Sequence, residues 1–195
     1  MDKSHYVLST LAEQPEYYDD VMGLIEKEFH YEKPFSYATD FAPLVNPNNF
    51  ENCFIIIHLE SKMMVAHLGV LPRVMIKNNG EMPILMIGGI VTEKSHRGKN
   101  LFRTLMNHAC NLYKEKAALV FLWSELHDIY EKFSFYRAGG IIETGKSVIT
   151  SDKTPKGFIA TNFSKLSLGE FDEIKNIYQT FNEKYFFTLK SEREN

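Results

Sequence analysis

Two cysteines, Cys53 and Cys110, are all that the 195 residues contain, and both sit in apolar, regularly patterned segments. That excludes a disulfide framework and the clustered thiols of a structural zinc site, and it predicts reduced core thiols. No stretch approaches the roughly 20 apolar residues needed to cross a bilayer. The first residues, Met1-Asp2-Lys3-Ser4-His5, carry no apolar leader, so the expectation is a cytoplasmic protein without a membrane partner. There is no surplus of positive charge: the net charge is -3, with 22 Lys and Arg against 25 Asp and Glu. A general field for nucleic acid is therefore absent, and no nucleic-acid partner is expected. Neither a Gly-x-x-x-x-Gly-Lys-Ser/Thr nor a Gly-x-Gly-x-x-Gly pattern occurs, which removes the two commonest nucleotide-binding turns. Repeats and low-complexity tracts are missing too. What remains is a chain 44% hydrophobic and 13% aromatic, enough to bury one core with at most a small extension.

The order of elements can be read from periodicity and turn chemistry. His5 to Leu8 fits a short strand. Pro15 suits the first turn of a helix whose apolar face is Tyr18, Val21, Met22, Ile25 and Phe29, ending near His30. Residues 31–51 hold Pro34, Pro43 and Pro47 among several Asn, yet also Tyr31, Phe35, Tyr37, Phe41 and Phe50. Such a loop is either tied to the core or forms one wall of a substrate pocket. Three strand-like runs follow, Cys53–Leu59, Met63–Lys77 and Met82–Thr92. Asn78-Asn79-Gly80 is a tight-hairpin signal between the last two, so an antiparallel meander is expected. Gly69 and Pro72 suggest a bend in the second run. Gly88-Gly89 in the third marks either a bulge, with backbone approached closely by another group, or tight packing against a neighbour.

A basic turn, His96-Arg97-Gly98-Lys99-Asn100, then opens a helix from Leu101 to about Lys116. Its expected buried face is Leu101, Phe102, Leu105, Met106, Ala109, Leu112 and Tyr113. A strand, a turn with Gly and cations, and a helix N-terminus make an anion site, because free N–H groups and the helix dipole converge there. Ala117–Trp123 is continuous and apolar, and reads as a central strand parallel to the one before the helix. A short helix is expected over Asp128–Phe135, strands over Ile141–Thr150 and Phe158–Asn162, and a last helix to about Glu183. Ser167 and Glu170 have capping-box spacing, and Phe171, Ile174, Tyr178 and Phe181 form a stripe.

This layout, with two of its motifs, resembles the GNAT superfamily of N-acetyltransferases. Ile90–Phe102, I-V-T-E-K-S-H-R-G-K-N-L-F, is similar to the superfamily's Arg/Gln-x-x-Gly-x-Gly/Ala signature at a strand-to-helix turn. Tyr130–Phe135, Y-E-K-F-S-F, is similar to its Tyr-x-x-x-Gly-Phe segment. Asn100 and Ser134 stand where the family has Gly, and Phe102 where it has Gly or Ala. Asn tolerates positive φ best among non-glycines, so Asn100 can preserve the turn.

The resemblance implies a mixed α/β fold: a mostly antiparallel, splayed sheet with helices on both faces. It implies acetyl-CoA as co-substrate, no metal, and direct acetyl transfer to a small-molecule or peptide amine. Ile90, Val91 and Thr92 would track the pantetheine arm. Arg97, Gly98, Lys99, Asn100, Leu101 and Phe102 would form the pyrophosphate turn. Tyr130 would be the general acid. Glu125, with Ser124 beside it, lies where relatives contact CoA or substrate; it is a candidate base or simply an acid at a helix N-terminus. Glu93, His96, His127 and Asp128 are near the same turns, and Asp40 and Glu51 could hold an ammonium. The departures at Asn100, Phe102 and Ser134 leave a non-catalytic acyl-CoA sensor as the alternative. The expected division is a GNAT-like domain over 1–163 and a C-terminal helical extension over 164–195, as a monomer or homodimer.

Overall fold

A computed structural model of the chain describes residues 5–77, 80–138, 163–185 and 188–189. These fall into two compact units. The first is built from residues 1–75, 80–125 and the C-terminal end from 189, and the second from 76–79 and 126–188.

In the first unit, five strands lie side by side in chain order: β1 (Tyr6–Thr10), β2 (Cys53–His58), β3 (Met63–Lys77), β4 (Gly80–Thr92) and β5 (Leu119–Phe121). β1 and β3 both run antiparallel to β2. β4 returns antiparallel along β3, since the Glu93 N–H at its far end donates to Val65 O at the start of β3, at 2.8 Å. β5 is parallel to β4, as a strand reached through a crossover helix must be. The sheet is mostly antiparallel, and helices cover both faces.

β2 shows why both faces are covered. All five residues from Cys53 to Ile57 are buried, a run without the alternation of a half-exposed strand. Cys53, Ile55 and Ile57 enter one apolar layer with Val21, Met22, Leu24 and Ile25 of α1 (Tyr18–Glu28). Asp19 and Asp20 in the first turn of α1 and Lys27 in its last complement the helix dipole. Phe54 faces the other way and meets the His108 ring at 4.8 Å on α3 (Leu101–Tyr113). α3 buries Leu101, Leu105, Met106, Ala109 and Tyr113. Phe102 is only half-buried, and Leu112 is exposed, contrary to the face expected from spacing.

The aromatic loop is tied to the core. Tyr37, on the short helix α2 (Tyr37–Asp40), is buried with Leu44 and Val45. Asn49 Nδ2 donates to Leu44 O at 2.7 Å and to Val70 O at 3.0 Å, pinning the loop to β3. The loop's free apolar side is small and comprises Phe35 and Phe41.

One expectation needs correcting. Ala117–Trp123 is not a buried central strand. Only Leu119–Phe121 pairs, and Leu119 and Trp123 are 45% and 77% exposed, because among the described residues nothing packs over them. β3 carries a register irregularity against β2 that spacing did not announce: Ile56 pairs Ala66 while Ile57 pairs Met64, so Val65 is the extra residue. The hairpin turn at 78–79 and the strands expected over 141–150 and 158–162 lie outside the described residues.

The second unit carries α4 (His127–Glu131) and α5 (Leu168–Tyr185). The capping box forms at the start of α5. Ser167 N and Oγ both donate to Glu170 Oε2, at 2.8 and 2.7 Å, and Glu170 N donates back to Ser167 Oγ at 3.3 Å. The stripe on α5 stays exposed at Phe171, Ile174, Tyr178 and Phe181. Among the described residues, no helix is long and apolar enough to cross a membrane, and no group of His, Cys, Asp and Glu is arranged to hold a metal ion.

Candidate functional site

The site begins where β4 and β5 part. Their pairing covers Ile84–Met86 against Leu119–Phe121 and stops there, although β4 continues to Thr92. Successive residues of a strand direct their N–H and C=O groups to alternate sides. Pro83 O accepts from Ala118 N at 2.8 Å, so Pro83, and with it Leu85 and Ile87, faces β5. Glu93 faces β3, so Val91 does too, and Ile90 and Thr92 face away from β3. Ile87 and Ile90 therefore point to the same side although three positions apart, which requires one extra residue between them. That residue belongs to Gly88-Gly89. Gly89 adopts φ +60°, and Cβ atoms placed on both glycines would point into the α1 layer. On Gly88 it would lie 3.0 Å from Leu44 and 3.3 Å from the Tyr37 hydroxyl; on Gly89, 3.1 Å from His67 and 3.2 Å from Ile25. Both expectations for the glycine pair are met at once: a bulge, packed tightly from below. Its consequence is that Ile90 and Thr92 present backbone groups to an edge that, among the described residues, no strand occupies.

Past Thr92 the chain makes one 3-10 turn, Lys94–His96, then the basic turn, then α3. Asn100 is left-handed, with φ 61° and ψ 19°, and Gly98 has φ 75°. Asn100 thus supplies the backbone conformation that Gly would. The first N–H groups of an α-helix have no partner within the helix, and at α3 the Asn100 side chain does not cap them.

Side chains brace the turn. Arg97 Nη2 meets Glu28 Oε2 at 2.5 Å, and Arg97 Nε donates to Thr92 O at 3.1 Å. Lys27 Nζ meets Glu93 Oε2 at 3.3 Å. The end of α1 is thereby joined twice to the β4–α3 connection. Glu28 is largely buried, and its Oε1 has no hydrogen-bond partner. On the other side, Tyr6 OH and His96 Nδ1 are 2.8 Å apart, the His58 and His96 rings lie 5.0 Å apart, and Lys99 Nζ stands 5.9 Å from the Tyr6 ring centroid. Burial first, then the Lys99 charge, holds His96 below the usual histidine range.

Behind the bulge is a second polar group. His67 on β3 is fully buried, its Nδ1 lies 2.7 Å from Gly89 O, and its Nε2 has no partner. A carbonyl only accepts, so Nδ1 carries the proton. Burial pushes the imidazole down to about 4, with the Gly89 carbonyl opposing. Tyr37 lies in the same layer, its hydroxyl 3.3 Å from where a Cβ on Gly88 would stand, and burial raises the phenol far above its usual range.

The structure places Ile90, Val91, Thr92, Arg97, Gly98, Lys99, Asn100 and Leu101 along one continuous path from the open edge to the helix start. Arg97 is engaged with Glu28 instead of standing free. Ser124 is half-buried and Glu125 exposed, both just past β5. Tyr130 is on α4 in the second unit, where its carbonyl accepts from Phe133 N at 2.9 Å and Phe135 N at 3.3 Å. Ser134 there has φ 63°, again the conformation of the Gly it stands for. Glu28 and His67 were not singled out in the sequence, and Tyr37 only as one aromatic of the loop. The only signal was the glycine pair, which announces a close approach without saying by what.

The chain's residues 12–138 match the model of the Acetyltransferase (GNAT) domain. A search of curated proteins finds no match. Among solved structures, an acetyltransferase from Trypanosoma brucei superposes with TM-score 0.54 at 18% identity, covering 72% of this chain and 99% of that one. Glucosamine-6-phosphate N-acetyltransferase from Arabidopsis thaliana gives 0.55 at 13%, covering 72% and 98%. An aminoglycoside acetyltransferase from an uncultured soil metagenomic sample gives 0.51 at 20%, covering 75% and 100%. At these identities the solved structures speak for the fold, and the domain model, spanning well over half of the sequence, speaks for the family: the chain belongs to the GNAT acetyltransferases.

Proposed function

We propose that the protein transfers an acetyl group from acetyl-CoA to an amine by direct attack. The observation that carries this reading is the open β4 edge at Ile90–Thr92, running without interruption into the left-handed turn at Asn100 and the start of α3. An extended chain bearing amides, followed by a diphosphate, fits that order: strand-like hydrogen bonds first, then N–H groups and a helix dipole. The pantetheine arm pairs with Ile90, Val91 and Thr92. The pyrophosphate lies on the N–H groups of Arg97, Gly98, Lys99, Asn100 and Leu101, with Phe102 turned toward the core and Ser124 lining the cleft beside β5.

The amine nitrogen attacks the thioester carbonyl carbon, and charge builds on its oxygen. The Ile90 N–H, turned to the open edge by the bulge, is the donor in this structure suited to receive it. The C–S bond then breaks. Tyr130 supplies the proton to the departing thiolate, a transfer a phenol can make to a group of ordinary thiol pKa near ~8.5. The proton lost by nitrogen goes to Glu125 or to water. The acceptor is a small-molecule or peptide amine, and no metal takes part.

The engagement of Arg97 by Glu28 supports a second reading, an acyl-CoA sensor with little turnover. A screen of amines with acetyl-CoA, following thiol release and CoA binding together, separates the two. Release with at least one amine, lost in Tyr130→Phe, supports the transferase. Tight binding without release from any amine supports the sensor, and absence of binding refutes both.

A further inference from the structure

We infer that His67 is a positioning residue for the transfer, acting through the Gly88-Gly89 bulge on the Ile90 N–H. This rests on the transferase reading above. His67 donates Nδ1–H to Gly89 O at 2.7 Å. The Gly89 carbonyl is thus drawn out of the sheet and into the α1 layer. A regular strand would use it in a ladder bond to a neighbouring strand. Here the imidazole replaces the ladder at the position where β4 must gain a residue.

The phase of the strand after this point depends on that capture. With the bulge, Ile90 faces the open edge; without it, Ile90 would face β3 and Val91 the edge. A one-residue change of phase would also reverse the side chains beyond it, driving Val91 out of the core layer it now joins. The bulge is held from below by a polar group, and His67 keeps an unpartnered Nε2 at a cost that a Leu or Met there would avoid. Glycine at both bulge positions admits the two side chains, since a Cβ on either would crowd Tyr37 or His67.

A positioning role predicts loss in the chemical step with cofactor binding kept. The measurements are kcat, KM for acetyl-CoA, and CoA affinity by calorimetry, for His67→Leu, His67→Asn and His67→Gln, with thermal unfolding to confirm folding. Asn retains an N–H close to the place of Nδ1, and Gln one close to the place of Nε2. His67→Leu and His67→Gln are expected to lower kcat by tenfold or more with KM and CoA affinity changed less than about threefold. His67→Asn is expected to restore kcat to within about fivefold of the natural protein. Two results would overturn the inference: His67→Leu folded with unaltered kcat, or His67→Asn as impaired as His67→Leu. If His67→Leu does not fold, His67→Asn against His67→Gln decides the matter, and equal kcat in those two would overturn it. A natural protein that releases no thiol with any amine contradicts the transferase reading instead, so the two failures are told apart.

Discussion

Acid should weaken this fold earlier than its carboxylates require, and His67 should be the reason. The residue is fully buried, its proton sits on Nδ1 toward Gly89 O, and its value falls from 6.5 to about 4. No charged neighbour contributes; burial lowers the value and the Gly89 carbonyl opposes. For a histidine depressed in the folded state, the unfolded chain takes the proton first. Stability is therefore fully present above pH 6.5 and is lost as pH falls from 6.5 toward 4. The interval is 6.5 − 4, or 2.5, and at roughly 1.4 kcal/mol per pKa step it amounts to about 3 kcal/mol, most of it gone by pH 4.5. In a chain of this size each kcal/mol moves the midpoint by roughly 2–4 °C. Unfolding followed at pH 7.5, 6, 5 and 4.5 in the natural protein and in His67→Asn reads the effect as a difference of slopes. His96 is also held low, by burial and Lys99, but it is present in both proteins and cancels. Glu13 and Glu170, lowered by their hydroxyl and backbone bonds, lose stability only below the usual carboxylate range. The side-chain amide of the His67→Asn variant cannot titrate, so that variant's curve should be flatter by about 2–3 kcal/mol. Parallel curves would refute the claim that a neutral, buried His67 is part of the native state.

Three further tests follow from the same geometry. Gly89→Ala places a Cβ at φ +60° and within 3.1 Å of His67, so it should cost about 2 kcal/mol or more and lower the midpoint by about 4–8 °C; an unchanged midpoint would mean that the bulge is absent. Glu28→Gln frees Arg97 from its carboxylate, and CoA affinity should rise by up to about 1 kcal/mol, since an ion pair this exposed at Arg97 is worth no more; a fall in affinity on titration calorimetry would show that the pair holds the turn in its binding shape. Asn100→Gly should be neutral or slightly stabilising and Asn100→Ala should cost roughly 1 kcal/mol by urea unfolding, because only glycine and Asn sit cheaply at φ 61°; equal costs would argue that the Asn100 side chain, and not its backbone, matters.

Legibility followed the range of the interaction. The helix face of α1, the capping box of α5 and the meander are set by neighbours a few residues apart, and periodicity exposes them. The turn at Asn100 was readable because few residue types tolerate its backbone. Burial of β5 was not: Ala117–Trp123 is as apolar as a central strand, but burial is conferred by what packs on a segment, and Leu119 and Trp123 remain exposed. Val65 gives no sign of its irregularity, since β-branched residues serve equally in and out of register. Arg97 looked like a free phosphate ligand because Glu28 lies 69 positions away. His67, one polar letter in a long strand, acquires meaning only from Gly89, 22 positions on.

The departures from the family pattern divide by the same logic. Asn100 and Ser134 both replace glycine, and both keep positive φ, at 61° and 63°. Ser134 costs the chain of order 1 kcal/mol that glycine would not, and Asn100 much less, so the backbone path is maintained at both places without the residue that favours it most. A turn free to change shape would relax instead. Phe102 differs because its position is set by volume, not by φ. It is half-buried on α3, one residue past Leu101, which is buried. If the turn holds a diphosphate as proposed, its weak point is Arg97, already held by Glu28, a carboxylate with one oxygen buried and unpartnered. A diphosphate that draws Arg97 away would leave Glu28 with neither partner, and that cost is subtracted from whatever the phosphate contact gains.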